Sequence, residues 1–216
     1  MTKKGILLMG VALIATAALA GAWSIAGLVT EGNVEEAAYS VITKTGTYEL
    51  RSYDPHLRAE VVMDGPYRKS LYGGFRVLAD YIFGNNTAST GISMTAPVVS
   101  EESEKIAMTA PVLHQEQEEK ERHLISFIMP AEYTLETLPK PNNASVTVRE
   151  IAAQKMAALR FGGYAMKGRA ERRIERLLKA LAADGITVAG EAQVAQFNPP
   201  WTPPWMPRNE ILIPIE

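Results

Sequence analysis

Two near-identical heptapeptides constrain this chain more than any other feature: Ile92-Ser-Met-Thr-Ala-Pro-Val98 and Ile106-Ala-Met-Thr-Ala-Pro-Val112, fourteen residues apart. Side chains alternate along an extended strand, so Ile92, Met94 and Ala96 share one face while Ser93 and Thr95 share the other. Pro97 and Pro111 offer no N–H to a ladder, which puts each copy at a sheet edge or a strand end. The polar Ser-Glu-Glu-Ser-Glu-Lys stretch between them suits an exposed hairpin loop. Taken by itself, the repeat is equally well a duplicated hairpin with no chemistry.

The rest of the chain repeats on a larger scale. Strands are expected near 38–43, 48–53 and 58–63, a helix over 66–83, and strands near 91–99, 105–114 and 123–129. Further strands follow at 145–151 and 155–161, then a helix over 168–183, then strands at 192–197 and 210–215. The unit is strand, strand, helix, strand, twice over. Tyr48-Glu-Leu-Arg before Ala59-Glu-Val-Val has its counterpart in Val146-Thr-Val-Arg before Ala157-Ala-Leu-Arg. Neither half can cover its own apolar face, so the expected fold is α+β: duplicated halves joined in one curved, mainly antiparallel sheet with two helices.

With 216 residues, 47% of them hydrophobic, the chain can bury a core without disulfides or metals. It has no cysteine, which excludes thiolate catalysis, iron–sulfur clusters, cysteine-ligated zinc and covalent c-type heme attachment. Residues 5–29 form an apolar run broken only by Thr16 and Ser24, long enough to span a bilayer and preceded by Lys3 and Lys4. Residues 1–30 therefore read as a signal anchor or a signal peptide, 31–37 as a linker and 38–216 as the folded domain. Ala18-Leu19-Ala20 offers a cleavage site, whereas Trp23, Ile25 and Leu28 extend the run as an uncleaved anchor would. In either case the lysines stay cytoplasmic and the domain is exported to the periplasmic or extracellular side. Setting those two lysines aside takes the formal charge from −2 to −4, so no basic field invites nucleic acid.

The second helix presents Ala170, Ile174, Leu177, Leu178 and Leu181 on one face, and Asp184-Gly185 ends it. The first carries Leu71, Phe75, Leu78 and Ile82 toward the sheet, with Gly73-Gly74 in its interior at a cost of about 1 kcal/mol each relative to alanine. Either a flat ligand or a tight helix–sheet contact offsets that cost. A second stripe, Arg68, Tyr72, Arg76, Ala79 and Phe83, mixes cations with aromatic and small residues; it is either a solvated face or one wall of a site for an amphiphilic anion. The loop Phe197-Asn-Pro-Pro-Trp-Thr-Pro-Pro-Trp-Met-Pro-Arg-Asn-Glu, stiffened by five prolines, offers Trp201 and Trp205 as the opposite wall; a membrane-interface role and a plain packed loop are the alternatives. His56, His114 and His123 show no metal-binding spacing, and no phosphate loop, nucleophile elbow or carboxylate dyad stands out. No catalytic or metal-ligating residue is assigned. For acid–base work His56 and Tyr72 are the best placed, and both are poor candidates.

The doubled Met-Thr-Ala-Pro-Val string, with Tyr48-Glu-Leu-Arg-Ser-Tyr53 before it and Phe161-Gly-Gly-Tyr164 and Asn198-Pro-Pro…Arg208-Asn-Glu210 after it, resembles the SOUL family of heme-binding proteins. These motifs stand in the family's order from Ala38 to Glu216. The resemblance implies a distorted barrel-like sheet flanked by two helices, and non-covalent binding of heme or a related tetrapyrrole in a hydrophobic groove, as a carrier or buffer. In the family the region of the tryptophan loop adjoins the proposed heme groove, which favours reading Trp201 and Trp205, with the stripe residues Arg68, Tyr72 and Arg76, as ligand contacts. Individual contacts of animal members do not carry over: Ser52 stands where one has its axial histidine, and Tyr72, Asp80 and Thr202 stand near the basic groups of another. The competing functions are a tetrapyrrole-processing enzyme and an effector-binding module for other hydrophobic compounds.

Overall fold

The computed structural model describes residues 34–88, 103–117, 121–198, 202–203 and 205–216. The apolar N-terminal run and the first Met-Thr-Ala-Pro-Val copy lie outside the described residues, as does Trp201. Among the described residues no helix is long and apolar enough to cross a membrane.

In chain order the elements are β1 (Glu35–Glu36), β2 (Tyr39–Lys44), β3 (Glu49–Tyr53), β4 (His56–Asp64), α1 (Tyr67–Ile82), β5 (Asn86–Thr87), β6 (Thr109–Ala110), β7 (Val112–Glu116) and β8 (Arg122–Ile128). They continue with β9 (Lys140–Pro141), β10 (Thr147–Ile151), β11 (Gln154–Gly162), α2 (Lys167–Ala183), β12 (Gln193–Gln196) and β13 (Arg208–Pro214). Nine strands form one curled antiparallel sheet in the order β10-β4-β8-β7-β12-β13-β11-β3-β2. The strands expected near 105–114, 123–129, 192–197 and 210–215 all form, so the repeated unit is two strands, a helix and then a strand pair, β7-β8 in the first half and β12-β13 in the second.

The halves are interlocked. Exchanging β3, β4, β7 and β8 for β10, β11, β12 and β13 maps the strand order onto itself in reverse, with β7 against β12 at the centre. With β2 left aside as an extra edge strand on β3, the two counterpart strands β3 and β10 each pair across the halves: β3 lies on β11 and β10 on β4. Pro111 falls at a strand end, as its missing N–H requires, between β6 and β7 of the second heptapeptide copy.

Alternation along each strand sorts the residues into two faces. One row of register partners runs Val61, Ile125, His114, Val194, Ile211, Leu159, and both helices cover this face. Under α1 lie Leu57, Ala59, Val61, Ile125 and Phe127, meeting Leu78 and Ile82. Under α2 lie Ala157, Leu159, Val194, Ile211 and Ile213, meeting Ala170, Leu177 and Leu181. Leu178, expected on that apolar stripe, is exposed instead. Gly185 takes φ +69°, the left-handed turn expected after Asp184. The opposite, helix-free face holds a smaller apolar cluster of Tyr53, Leu113, Ile128, Met156, Ala158, Ala195 and Leu212. Residues 34–38 cross this face as a strap and bring Ala37 into the cluster, beside Tyr39 at the start of β2.

Candidate functional site

The outer face of α1 holds three of the five expected contacts. Arg68, Tyr72 and Arg76 are all exposed, and the Arg68 guanidinium sits 5.7 Å from the centre of the Tyr72 ring. Tyr72 keeps 43% of its surface in water and Phe83, at the far end of the stripe, 60%. Among the described residues no carboxylate pairs with Arg68 or Arg76.

Gly73 and Gly74 face the sheet, and tight packing accounts for them. A Cβ on Gly74 would stand 2.8 Å from Cγ1 of Ile125, and one on Gly73 would stand 2.8 Å from Cε of Met63. The missing side chains let α1 approach β4 and β8.

Trp205 is 61% exposed in the loop between β12 and β13. That loop is pinned where Tyr164 donates its hydroxyl to the Thr202 carbonyl at 3.0 Å. One residue on, the Ala165 carbonyl accepts the hydroxyl of Tyr67, the first residue of α1, at 2.9 Å. The link between β11 and α2 thus holds both the tryptophan loop and the first turn of α1, at adjacent residues.

The helix-free face carries charges that sequence reasoning did not assign to a site. Arg51 donates to both oxygens of Glu210, from Nη1 to Oε2 at 2.6 Å and from Nη2 to Oε1 at 3.3 Å, and both residues are buried. Burial disfavours the Arg51 cation, but Glu210 outweighs it and raises the guanidinium's pKa further. Arg51 also lies 4.3 Å from the Tyr39 ring centre. In the other half Glu60 is bonded to Arg149 at 2.7 Å and accepts from Ser126. The strap is tied down by Glu36, which takes two bonds from Arg208 at 2.7 and 3.1 Å, and by the Ala131 N–H, which donates to Glu35.

Two clefts flank the strap. A narrow one of about 10 Å³ is lined by Tyr39, Tyr53, Arg58, Leu113, Met156 and Leu212, among others. A wide one of about 500 Å³, a size common for small-molecule sites, borders Leu57, Met129, Tyr133 and Leu135 together with the carboxylates of Glu35, Glu36, Asp54, Glu136 and Glu150. Neither is lined by Arg68, Tyr72, Arg76 or Trp205. His56 borders both, with its nitrogens engaged: Nδ1 meets the Asp54 carbonyl at 2.9 Å and Nε2 accepts from Arg58 Nε at 3.1 Å. Burial lowers its pKa.

His114 and His123 are buried together at the hairpin of β7 and β8, ring nitrogens 3.1 Å apart. His123 Nε2 contacts the Gly65 carbonyl at 3.0 Å, Tyr67 stands edge-on to both rings, and Nδ1 of His114 has no hydrogen-bond partner among the described residues. Their nine-residue separation conceals the pair. Register is what unites them, since His114 opposes Ile125 and His123 opposes Glu116 across one hairpin.

The sequence profile described as SOUL heme-binding protein matches residues 34–104 and again 99–214. No curated protein matches the chain. Among solved structures, the C-terminal domain of EcmrR superimposes with a TM-score of 0.55 at 13% identity, covering 82% of this chain and 98% of its own. A hydrolase from Listeria innocua superimposes with a TM-score of 0.51 at 10% identity, over 81% and 94%. At these identities the likeness is one of fold, and it fixes no activity. The profile, by contrast, runs through both interlocked halves and takes in the Tyr48–Tyr53 and Arg208–Glu210 motifs that meet in the Arg51–Glu210 pair: this chain belongs to the SOUL heme-binding protein family.

Proposed function

We propose that the protein binds heme or a related tetrapyrrole non-covalently, as a carrier or buffer and not as a catalyst. The site we assign is the outer face of α1 against the loop between β12 and β13, with Arg68, Tyr72, Arg76, Trp201 and Trp205 as contacts. The observation that carries this reading is the stripe itself. In a chain of this family, two arginines with no acidic partner among the described residues flank an exposed tyrosine, and an exposed phenylalanine lies further along the same helix. A tetrapyrrole has an apolar disc for the rings and two carboxylates for the guanidiniums. The shared anchoring of the loop and of α1 at Tyr164 and Ala165 supports the two walls acting together. We further propose that residues 1–30 place the domain at the membrane on the non-cytoplasmic side.

Titration of the full-length protein in lipid nanodiscs with hemin, followed at the Soret band, tests the reading. A saturable shift at one equivalent per chain, beyond that of empty nanodiscs, is expected. Its absence at micromolar protein would overturn carriage of heme.

A further inference from the structure

We infer that the helix-free face is a second ligand site, for an apolar molecule carrying one organic oxyanion, whose head pairs with Arg58 and whose body takes the place of the strap side chains. The inference is independent of the heme reading, which concerns the opposite side of the sheet.

Arg58 lies on β4 at only 7% exposure. Buried cations are normally matched by an acid, because the cost of leaving water is otherwise uncompensated. Arg58 has no such match among the described residues. Its Nε donates to His56, its Nη1 reaches the Gln193 side-chain oxygen at a long 3.4 Å, and both partners are neutral acceptors. Glu60, which acts on it through space, is already committed to Arg149 and Ser126. Burial pushes the Arg58 guanidinium down to about 10, so it remains a cation at neutral pH.

That cation lines the narrow cleft. The one carboxylate lining the same cleft, Glu36, is held in two bonds by Arg208. Apart from His56 and Gln154 the remaining walls are apolar or aromatic, Tyr53, Leu113, Met156 and Leu212 among them, around a guanidinium able to grip a carboxylate or sulfonate. The wide cleft, ringed by five carboxylates, would repel such a ligand, which confines it to the narrow one.

As closed, the narrow cleft has room for about one water molecule. Ala37 and Tyr39 fill the rest. Before Ala38 the strap is held by a two-residue parallel pairing of β1 with β6, the Glu36–Arg208 ion pair and the Glu35 bond to Ala131, whereas Tyr39 is fixed in the β2–β3 ladder and only its ring, against Tyr53 and Arg51, has to swing aside. A ligand with an apolar body replaces those side chains on the same surface and supplies the counter-charge that Arg58 lacks.

The test uses two fluorescent probes with the same apolar body, 8-anilinonaphthalene-1-sulfonate and the uncharged N-phenyl-1-naphthylamine, titrated into the full-length protein in nanodiscs against empty nanodiscs. Saturable binding of the sulfonate, about tenfold tighter than that of the neutral probe, is expected. Arg58→Met abolishes the preference while leaving the neutral probe unaffected, and Tyr39→Ala tightens both probes severalfold. Arg76→Ala and saturating hemin leave sulfonate binding unchanged. Equal affinity of the wild-type protein for the two probes would overturn the site without recourse to any variant. So would a preference that survives Arg58→Met, affinities indifferent to Tyr39→Ala, or displacement of the sulfonate by hemin, which would merge the two sites into one.

Discussion

Arg51 and Glu210, 159 residues apart, close a two-bond ion pair beneath the strap, so the first and last motifs of the folded domain are one structural unit. Removing one partner leaves the other charged and buried. Arg51 keeps Glu49 and Glu210 keeps Arg208 as a second partner, so Arg51→Met or Glu210→Leu alone is expected to lower stability by about 1–3 kcal/mol, and the two together by distinctly less than the summed losses. Equilibrium urea denaturation of the three variants measures this; a double variant as unstable as the sum of the singles would show that the pair is not coupled.

Stability should also depend on pH through His114. Burial, then neighbouring His123, pushes its imidazole down to about 4, with Lys167 adding to the effect and Glu116 opposing it. The unfolded chain therefore gains its proton first as the pH falls. The contribution of a neutral His114 is complete above about pH 6.5 and is lost on the way down to about pH 4, a change on the order of 3 kcal/mol. His56, whose pKa burial also lowers, adds in the same direction. His114→Phe should flatten the urea-midpoint profile across this window. An unaltered slope would assign the pH response to other groups.

The two glycines of α1 should respond differently to alanine. At Gly74 the new methyl group meets the branched Ile125, whose Cγ1 and Cβ lie within 2.9 Å, and a loss of about 1–3 kcal/mol is expected. At Gly73 it meets the free end of Met63, which can rotate away, so the gain in helix propensity of about 1 kcal/mol largely offsets the contact. Thermal melts of the two alanine variants decide it.

On the proposed heme face, Arg68→Ala and Arg76→Ala should each weaken hemin binding about two- to fivefold, since exposed charge pairs contribute roughly 0.2–1 kcal/mol. Trp205→Ala should add to that loss. Soret titrations in which all three variants match the wild type would remove the groove from α1 while leaving family membership untouched.

Both helices were legible to within a residue or two, because Leu71, Leu78 and Ile82 on one and Ala170, Leu177 and Leu181 on the other repeat at helical spacing. The antiparallel sheet was legible from alternation, as in Glu49 to Tyr53. The partner exchange was not: β3 pairs with a strand about a hundred residues later, and no local pattern encodes a partner. The charges of the helix-free face escaped for a different reason. Arg51, Arg58, Glu60 and Glu210 alternate with apolar neighbours as solvent-facing residues do in any half-buried strand, and only the strap and the curl of the sheet turn that face inward. The contact between the two buried histidines escaped as well, because their spacing in the chain gives no hint of the hairpin register that joins them.

With β3 lent to the second half and β10 lent to the first, each half is completed by the other as clasped hands are. A break in the chain near residue 144 would leave two fragments whose sheets both lack a member, and neither would hold its shape until it met the other. An ancestor consisting of a single half would have found its missing strand only in a twin, so this architecture points back to a symmetric homodimer whose two subunits were later fused end to end.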